Sequence, residues 1–218
     1  MTYSTIYLSY FMDEHTPLYG GEFGVSMENV RSIKNGDSAN TKTLNFGNHS
    51  GTHIDFPNHF SIDGKVVEDY EANFWIFTSP YYIEIEVEEN QIIDLSDNEL
   101  QAIPPNVDFL ILKTGFFKFR SEEKYWNSNP GISPDLALKL KLRFPNLKIL
   151  GMDLISLTSY QNRPLGRISH CKFLLENDIL IVEDMKLNEL SSQPSKLFCF
   201  PILRKGLDGS PVTIIAEL

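Results

Sequence analysis

Asn48-His49-Ser50-Gly51-Thr52-His53-Ile54-Asp55-Phe56-Pro57-Asn58-His59-Phe60 holds three of the five histidines of this 218-residue chain, with a carboxylate among them. His49, Gly51, His53, Asp55, Pro57 and His59 all fall at odd positions, so an extended backbone would turn these side chains to one face. Ile54, Phe56 and Phe60 would then point elsewhere, into a core. A straight strand would leave His49 and His53 roughly 13 Å apart, too far for two ligand bonds of about 2 Å to one ion. The chain must therefore bend between them. Gly51, which lacks a Cβ and tolerates positive φ or a bulge, is where it is expected to bend. A helix would also bring histidines four apart onto one face. The zincin pattern, however, places Glu directly after the first His, where this chain has Ser50, and Gly51 and Pro57 oppose a helix. Two imidazoles and a carboxylate suit zinc, manganese or iron and leave a position open for water, as catalytic sites do. The competing reading is of hydrogen-bonded core histidines, with His49 and His59 on the surface.

Outward from this segment, runs rich in β-branched and aromatic residues predict strands at Tyr3 to Phe11, Ile76 to Val87, Phe109 to Thr114, Leu147 to Met152 and Ile179 to Val182. Two more are expected at Lys196 to Leu203 and Val212 to Leu218. Ser133-Pro134-Asp135 starts a helix running to about Arg143: Ser caps, Pro suits the first turn and Asp favours the positive end of the dipole. Leu136, Leu138, Leu140 and Leu142 alternate with the period of a strand, and the helix reading is kept against them. Ser96 and Glu99 form a capping box for a second short helix, ended by Pro104-Pro105. The stretches Lys34 to Lys42 and Ser121 to Gly131 read as exposed. The expected architecture is one mixed, β-rich α/β domain.

The composition excludes several classes. Twenty-nine acidic residues against 19 basic ones give a net charge of -10, with no basic run to neutralise phosphates, so no nucleic-acid partner is expected. Cys171 and Cys199 are the two cysteines. Neither lies in a CxxC pair, which fits a reducing compartment, and Cys171 reads as a small apolar residue rather than a thiolate. The start Met1-Thr2-Tyr3-Ser4-Thr5-Ile6 is not a basic segment followed by an apolar one, and no run approaches the roughly 18 apolar residues of a span. A cytoplasmic protein with no membrane association is expected.

His49-x-Gly51-Thr52-His53-x-Asp55-x-Pro57-x-His59 resembles the signature of the cyclase family of metal-dependent hydrolases, which includes bacterial kynurenine formamidases and isatin hydrolases. Pro17-Leu18-Tyr19-Gly20-Gly21 is similar to the family's N-terminal substrate loop, and Leu112-Lys113-Thr114-Gly115-Phe116 to the end of its central strand. Gly151-Met152-Asp153, Ser156 and Gly166-Arg167 also fit. The resemblance implies a layered β/β/α, swivelling-domain-like fold and a homo-oligomer, dimer or tetramer. It implies metal ligands at His49, His53 and Asp55, a catalytic acid/base at His59, and further ligands at His170 and Glu183, reached by an interval one residue longer than the family's. It also implies one or two divalent ions per chain, zinc foremost and manganese next.

The chemistry so implied is hydrolysis of an amide, formamide or lactam by metal-activated water, with N-formylkynurenine the leading small-molecule substrate. Imidazole takes up and releases protons near neutral pH, which suits His59 to the transfer. Tyr19 would wall an aryl substrate, with Phe23 or Phe60 as neighbours. Two other readings stand beside it: a biosynthetic cyclase or dehydratase, and a non-catalytic metal-binding protein. Product mass separates the first, since hydrolysis adds a water.

Overall fold

Runs buried on both faces, rather than alternating ones, mark the centre of this fold. The computed structural model describes residues 4–21 and 24–218. In chain order the strands are β1 (Thr5–Tyr7), β2 (Ser26–Arg31), β3 (Thr41–Asn45), β4 (His53–Asp55), β5 (Ile76–Phe77), β6 (Pro80–Glu84) and β7 (Ile92–Ile93). They continue with β8 (Phe109–Lys113), β9 (Gly131–Ile132), β10 (Ile149–Met152), β11 (Leu180–Glu183), β12 (Lys196–Pro201) and β13 (Gly209–Glu217). The helices are α1 (Asp97–Ala102), α2 (Lys124–Asn127), α3 (Pro134–Arg143) and α4 (Arg163–Cys171).

Nine strands form one mixed sheet in the order β5-β12-β13-β4-β11-β10-β8-β6, with β1 added along β13. The neighbours β6, β8, β10 and β11 run parallel. β10 and β11 are buried throughout, as parallel strands covered on both faces must be. Chain passing through α3 and α4 supplies the crossovers into β10 and β11 that parallel pairing requires. β4 runs antiparallel to both β11 and β13. β13 is long enough to pair β4 at one end and β12 and β1 further along, which joins the parallel half to an antiparallel one. This is the expected layered β/β/α arrangement. Phe56, Phe77, Phe109 and Phe173 are fully buried in its core, each contributing about 1.5–3 kcal/mol by leaving water.

Both helix starts behave as read. Ser133 Oγ accepts from Asp135 N at 3.3 Å, and Ser96 and Glu99 close a reciprocal box, with Ser96 N donating to Glu99 at 2.7 Å. In α3, Leu136, Ala137 and Leu140 are buried while Leu138 and Leu142 face solvent, so a helical face and not the alternation decides.

Other expectations are corrected. The Ile76 to Val87 run is two strands at opposite ends of the sheet, because the Asp108 carboxylate takes the backbone N–H groups of Thr78 and Ser79 at 2.9 and 3.2 Å and turns the chain between them. The segment Ser121 to Gly131 is not simply exposed: it forms α2, and Tyr125 is fully buried. The first run shortens to β1, and its Tyr3 lies outside the described residues. The hairpin of β2 and β3 and helix α4 were not legible as elements. No helix among the described residues is long and apolar enough to cross a membrane.

Candidate metal centre and pocket

The central strand β4 is short but touches both halves of the site. Gly51 adopts φ +62°, a left-handed turn that an L side chain would strain. This turn folds Asn48–Ser50 back against β4 and brings the His49 and His53 rings to 5.2 Å between centroids. Thr52 pins it by donating to the Asp184 carbonyl at 2.6 Å and accepting from Tyr10 N at 3.0 Å. In register, His53 lies opposite Glu183 on β11, and Asp55 opposite Gly209 on β13. Gly209 is required there, since a Cβ would sit 2.2 Å from the His49 ring.

After Asp55 the strand ends. Pro57–His59 form a tight turn, which delivers His59 to the same cavity with its ring 4.1 Å from that of His49. Ile54 and Phe56 enter the core as expected. Phe60 does not: the turn breaks the alternation, and Phe60 packs at 4.7 Å on His170 as part of the cavity wall.

Five side chains converge. His49 Nδ1 lies 2.8 Å from Asp55 Oδ1, and His53 Nε2 lies 3.6 Å from the same oxygen and 3.3 Å from Glu183 Oε2. His170 Nε2 is 3.4 Å from both Asp55 Oδ2 and Glu183 Oε1. The outer atoms of these groups are tied down. His53 Nδ1 contacts Gly51 O at 2.8 Å, His170 Nδ1 contacts Gly166 O at 2.9 Å, and Glu183 Oε1 accepts from Leu157 N at 2.7 Å and Ser156 Oγ at 3.1 Å. His53 and His170 thereby donate outward through Nδ1 and present Nε2 to the centre, whereas His49 faces Asp55 through Nδ1 and is held from outside at Nε2 by Asp208, 3.2 Å away, the arrangement of supported metal ligands. His53, Asp55, His170 and Glu183 are all exposed by only 1–5%. Donor atoms of His53, Asp55 and Glu183 lie within 4.8 Å of one another, as do those of His49, Asp55 and His59. Two overlapping imidazole and carboxylate groups sharing Asp55 fit a divalent cation, or two.

Electrostatics agree. Burial alone would lower His49, but the Asp55 charge and hydrogen bonds to Asp208 and Asp55 outweigh it and push its pKa up to about 10. His170 is likewise lowered by burial yet raised by Asp55 and Glu183 to about 10. Burial and the Asp55 charge raise Glu183, but hydrogen bonds from His170 and His53 bring it down to about 2. Asp55, despite its burial, is held well below its usual range by His49 and His170. Buried carboxylates of this kind demand neighbouring positive charge, which an ion supplies as well as protons do.

Behind the centre, Asp184 follows Glu183 with φ +51°. Arg120 clamps it through two hydrogen bonds of 2.8 and 2.7 Å, and Tyr125 Oη adds a third at 2.7 Å. The strained residue that aims Glu183 is therefore fixed by three hydrogen bonds from two side chains.

In front lies a cavity of about 710 Å³. Tyr19 lines it, its ring 5.5 Å from that of Tyr160, while Phe23 lies outside the described residues. Cys171 is not among the cavity's lining residues.

The sequence reading missed Asp208. Its Oδ2 lies 2.9 Å from His59 Nδ1 and 3.2 Å from His49 Nε2, and its Oδ1 accepts from Asn48 Nδ2 at 2.7 Å. Those hydrogen bonds hold its carboxyl well below the usual range. The only local signal is the dipeptide Asp208-Gly209, which reads as an ordinary turn.

A layered β/β/α sheet with a buried histidine and carboxylate cluster at its centre defines a class, and sequence comparison gives the family. Residues 6–158 match the Cyclase family, to which the chain belongs. It is 30% identical over 215 residues to a kynurenine formamidase of Geobacillus thermodenitrificans, covering 94% of this chain and 93% of that one. Among solved structures, isatin hydrolase A from Labrenzia aggregata superposes with a TM-score of 0.80 at 19% identity, over 99% of this chain and 94% of that one. A predicted metal-dependent hydrolase from Bacillus stearothermophilus does so with a TM-score of 0.77 at 15% identity, over 100% and 99%.

Proposed function

We propose that this chain is a divalent-metal hydrolase that cleaves a C–N bond of an amide, formamide or lactam, with arylformamides, N-formylkynurenine foremost, as substrates. The observation that carries the reading is the convergence of His49, His53, Asp55, His170 and Glu183 beside a His59–Asp208 pair at the foot of one cavity. The relatives' names, kynurenine formamidase and isatin hydrolase, support hydrolysis. The reading includes zinc as the first candidate ion and manganese as the second, one or two per chain, in a cytoplasmic homo-oligomer.

His49, His53 and Asp55 would hold the ion, and His170 and Glu183 a second one next to Asp55. A bound divalent ion supplies Lewis-acid polarisation of a carbonyl and a water of lowered pKa. The protein moves the protons. An ionised Asp208 can only accept, so His59 Nδ1 carries the hydrogen of their 2.9 Å bond, and in the neutral ring that tautomer leaves the lone pair on Nε2. That nitrogen takes a proton from the attacking water and returns it to the leaving nitrogen. Asp208 fixes the tautomer and stabilises the transient imidazolium, as a carboxylate does for a catalytic histidine elsewhere. Tyr19 and Phe60 flank the aryl group.

The test is N-formylkynurenine turnover by purified, chelator-stripped and metal-restored protein, read as formate and product mass. Formate release that disappears on stripping and returns with zinc or manganese is expected. A product lighter by one water, or no turnover of any formamide or lactam, would contradict the reading.

A further inference from the structure

Helix α4 carries more than His170 toward the cavity. Arg163, Arg167 and His170 are spaced four and three residues apart, so one helical face presents all three. His170 is buried at the metal centre, whereas both arginines are exposed and line the cavity further out. Aromatic rings hold their heads: the Arg167 guanidinium lies 5.6 Å from the Phe60 ring centre, and that of Arg163 lies 5.9 and 5.6 Å from those of Tyr19 and Tyr160.

The charge at this rim runs against the rest of the chain. In a protein of net charge -10, two guanidiniums line the approach to a centre built from carboxylates. Among the described residues, neither arginine is ion-paired. Tyr19, on the same rim, has a buried hydroxyl that finds no acceptor among the described residues, since the Arg163 guanidinium beside it can only donate to it. Donors gather here with no carboxylate among the described residues to meet them, and a buried hydroxyl is costly until something accepts from it.

We infer that Arg163 and Arg167, together with the Tyr19 hydroxyl, receive a carboxylate carried by the aryl amide or formamide substrate, while the scissile carbonyl lies at the metal centre. The placing of the scissile carbonyl rests on the hydrolase reading above, whereas the carboxylate site stands on the arginines alone. A planar carboxylate matches the guanidinium fork, and a cavity of about 710 Å³ is in the range that encloses a small aromatic ligand. Arg163 and Arg167 are then specificity-determining residues.

The experiment compares the metal-loaded wild type with Arg163→Gln/Arg167→Gln, using 3-formamidobenzoate and its neutral counterpart formanilide. Wild type should favour the anion in kcat/KM by about 10–100-fold, mostly through KM, and added salt should erode the preference because the arginines are exposed. The double variant, with its metal content unchanged, should bring the ratio close to one, and Arg→Lys at both positions should restore part of it. A wild-type ratio near one, or a ratio unchanged in the double variant, overturns the inference. If neither formamide is cleaved, the hydrolase reading fails, and calorimetry with benzoate and benzamide decides the anion site alone. Benzoate should bind wild type more tightly than benzamide does, and the difference should vanish in the double variant. Benzoate held at the metal would survive the substitutions and count against the arginines.

Discussion

Residues 48–60 bring His49, His53, Asp55 and His59 into the cavity from one bent segment, whereas His170 and Glu183 arrive from a helix and a parallel strand, and Asp208 backs His59 from the turn before β13. The first group is placed by local geometry: a left-handed glycine, three residues of strand and a tight turn. The second is placed by the whole fold, through β11 pairing with β4, α4 lying against the Thr158 loop, and β13 reaching β4. β4 couples the two because it is hydrogen-bonded on both edges. A site of this kind is stable only if the sheet registers are right, so its distant half is where remote substitutions should be felt.

The largest separation expected between the halves concerns His59. His59→Ala should lower kcat by about 10²–10⁴-fold while metal content stays at the wild-type level; loss of metal would make His59 a ligand instead. In the distant half, Arg120→Ala leaves the Asp184 carboxylate buried without its partner. That should cost about 3–5 kcal/mol in denaturant unfolding, and an effect under about 1 kcal/mol would detach Asp184 from the support of Glu183. Asp208→Asn spans the two halves. It should reduce kcat about 10–100-fold, less than His59→Ala, and the two substitutions together should cost no more than His59→Ala alone.

The smallest effect concerns pH. In the metal-free protein the carboxylates raise His49 and His170 from 6.5 to about 10. A histidine raised in the folded state gives stability that is complete below its unfolded pKa and is lost as the pH climbs through the folded one. The Tm of the metal-free protein should therefore fall from about pH 7 to about pH 10, while the metal-loaded protein, whose ligands have shed those protons, falls less. Parallel curves would contradict the shared site.

What the sequence made legible follows the same division. The bend at Gly51 and the two helix caps are local events, and each occurs where residue chemistry places it. The placing of the nine-residue α4 and the split of the Ile76 to Val87 run depend on partners far along the chain. Asp108, which divides that run, is about thirty positions away. Asp208 illustrates the limit: its carboxylate reaches His59 across 149 positions, and no local pattern marks it as more than a turn residue. The family resemblance implies His170 and Glu183 as site residues, and the structure brings His170 to Asp55 and Glu183, and Glu183 to His53.

The central claim, that these side chains bind a catalytic metal, is tested most directly by elemental analysis of wild type and His53→Ala, with N-formylkynurenine hydrolysis assayed on the same samples. The account predicts at least one ion per wild-type chain, and loss of both metal and activity in His53→Ala. Wild-type protein that takes up no divalent ion after reconstitution, or a His53→Ala variant that keeps both, would contradict it.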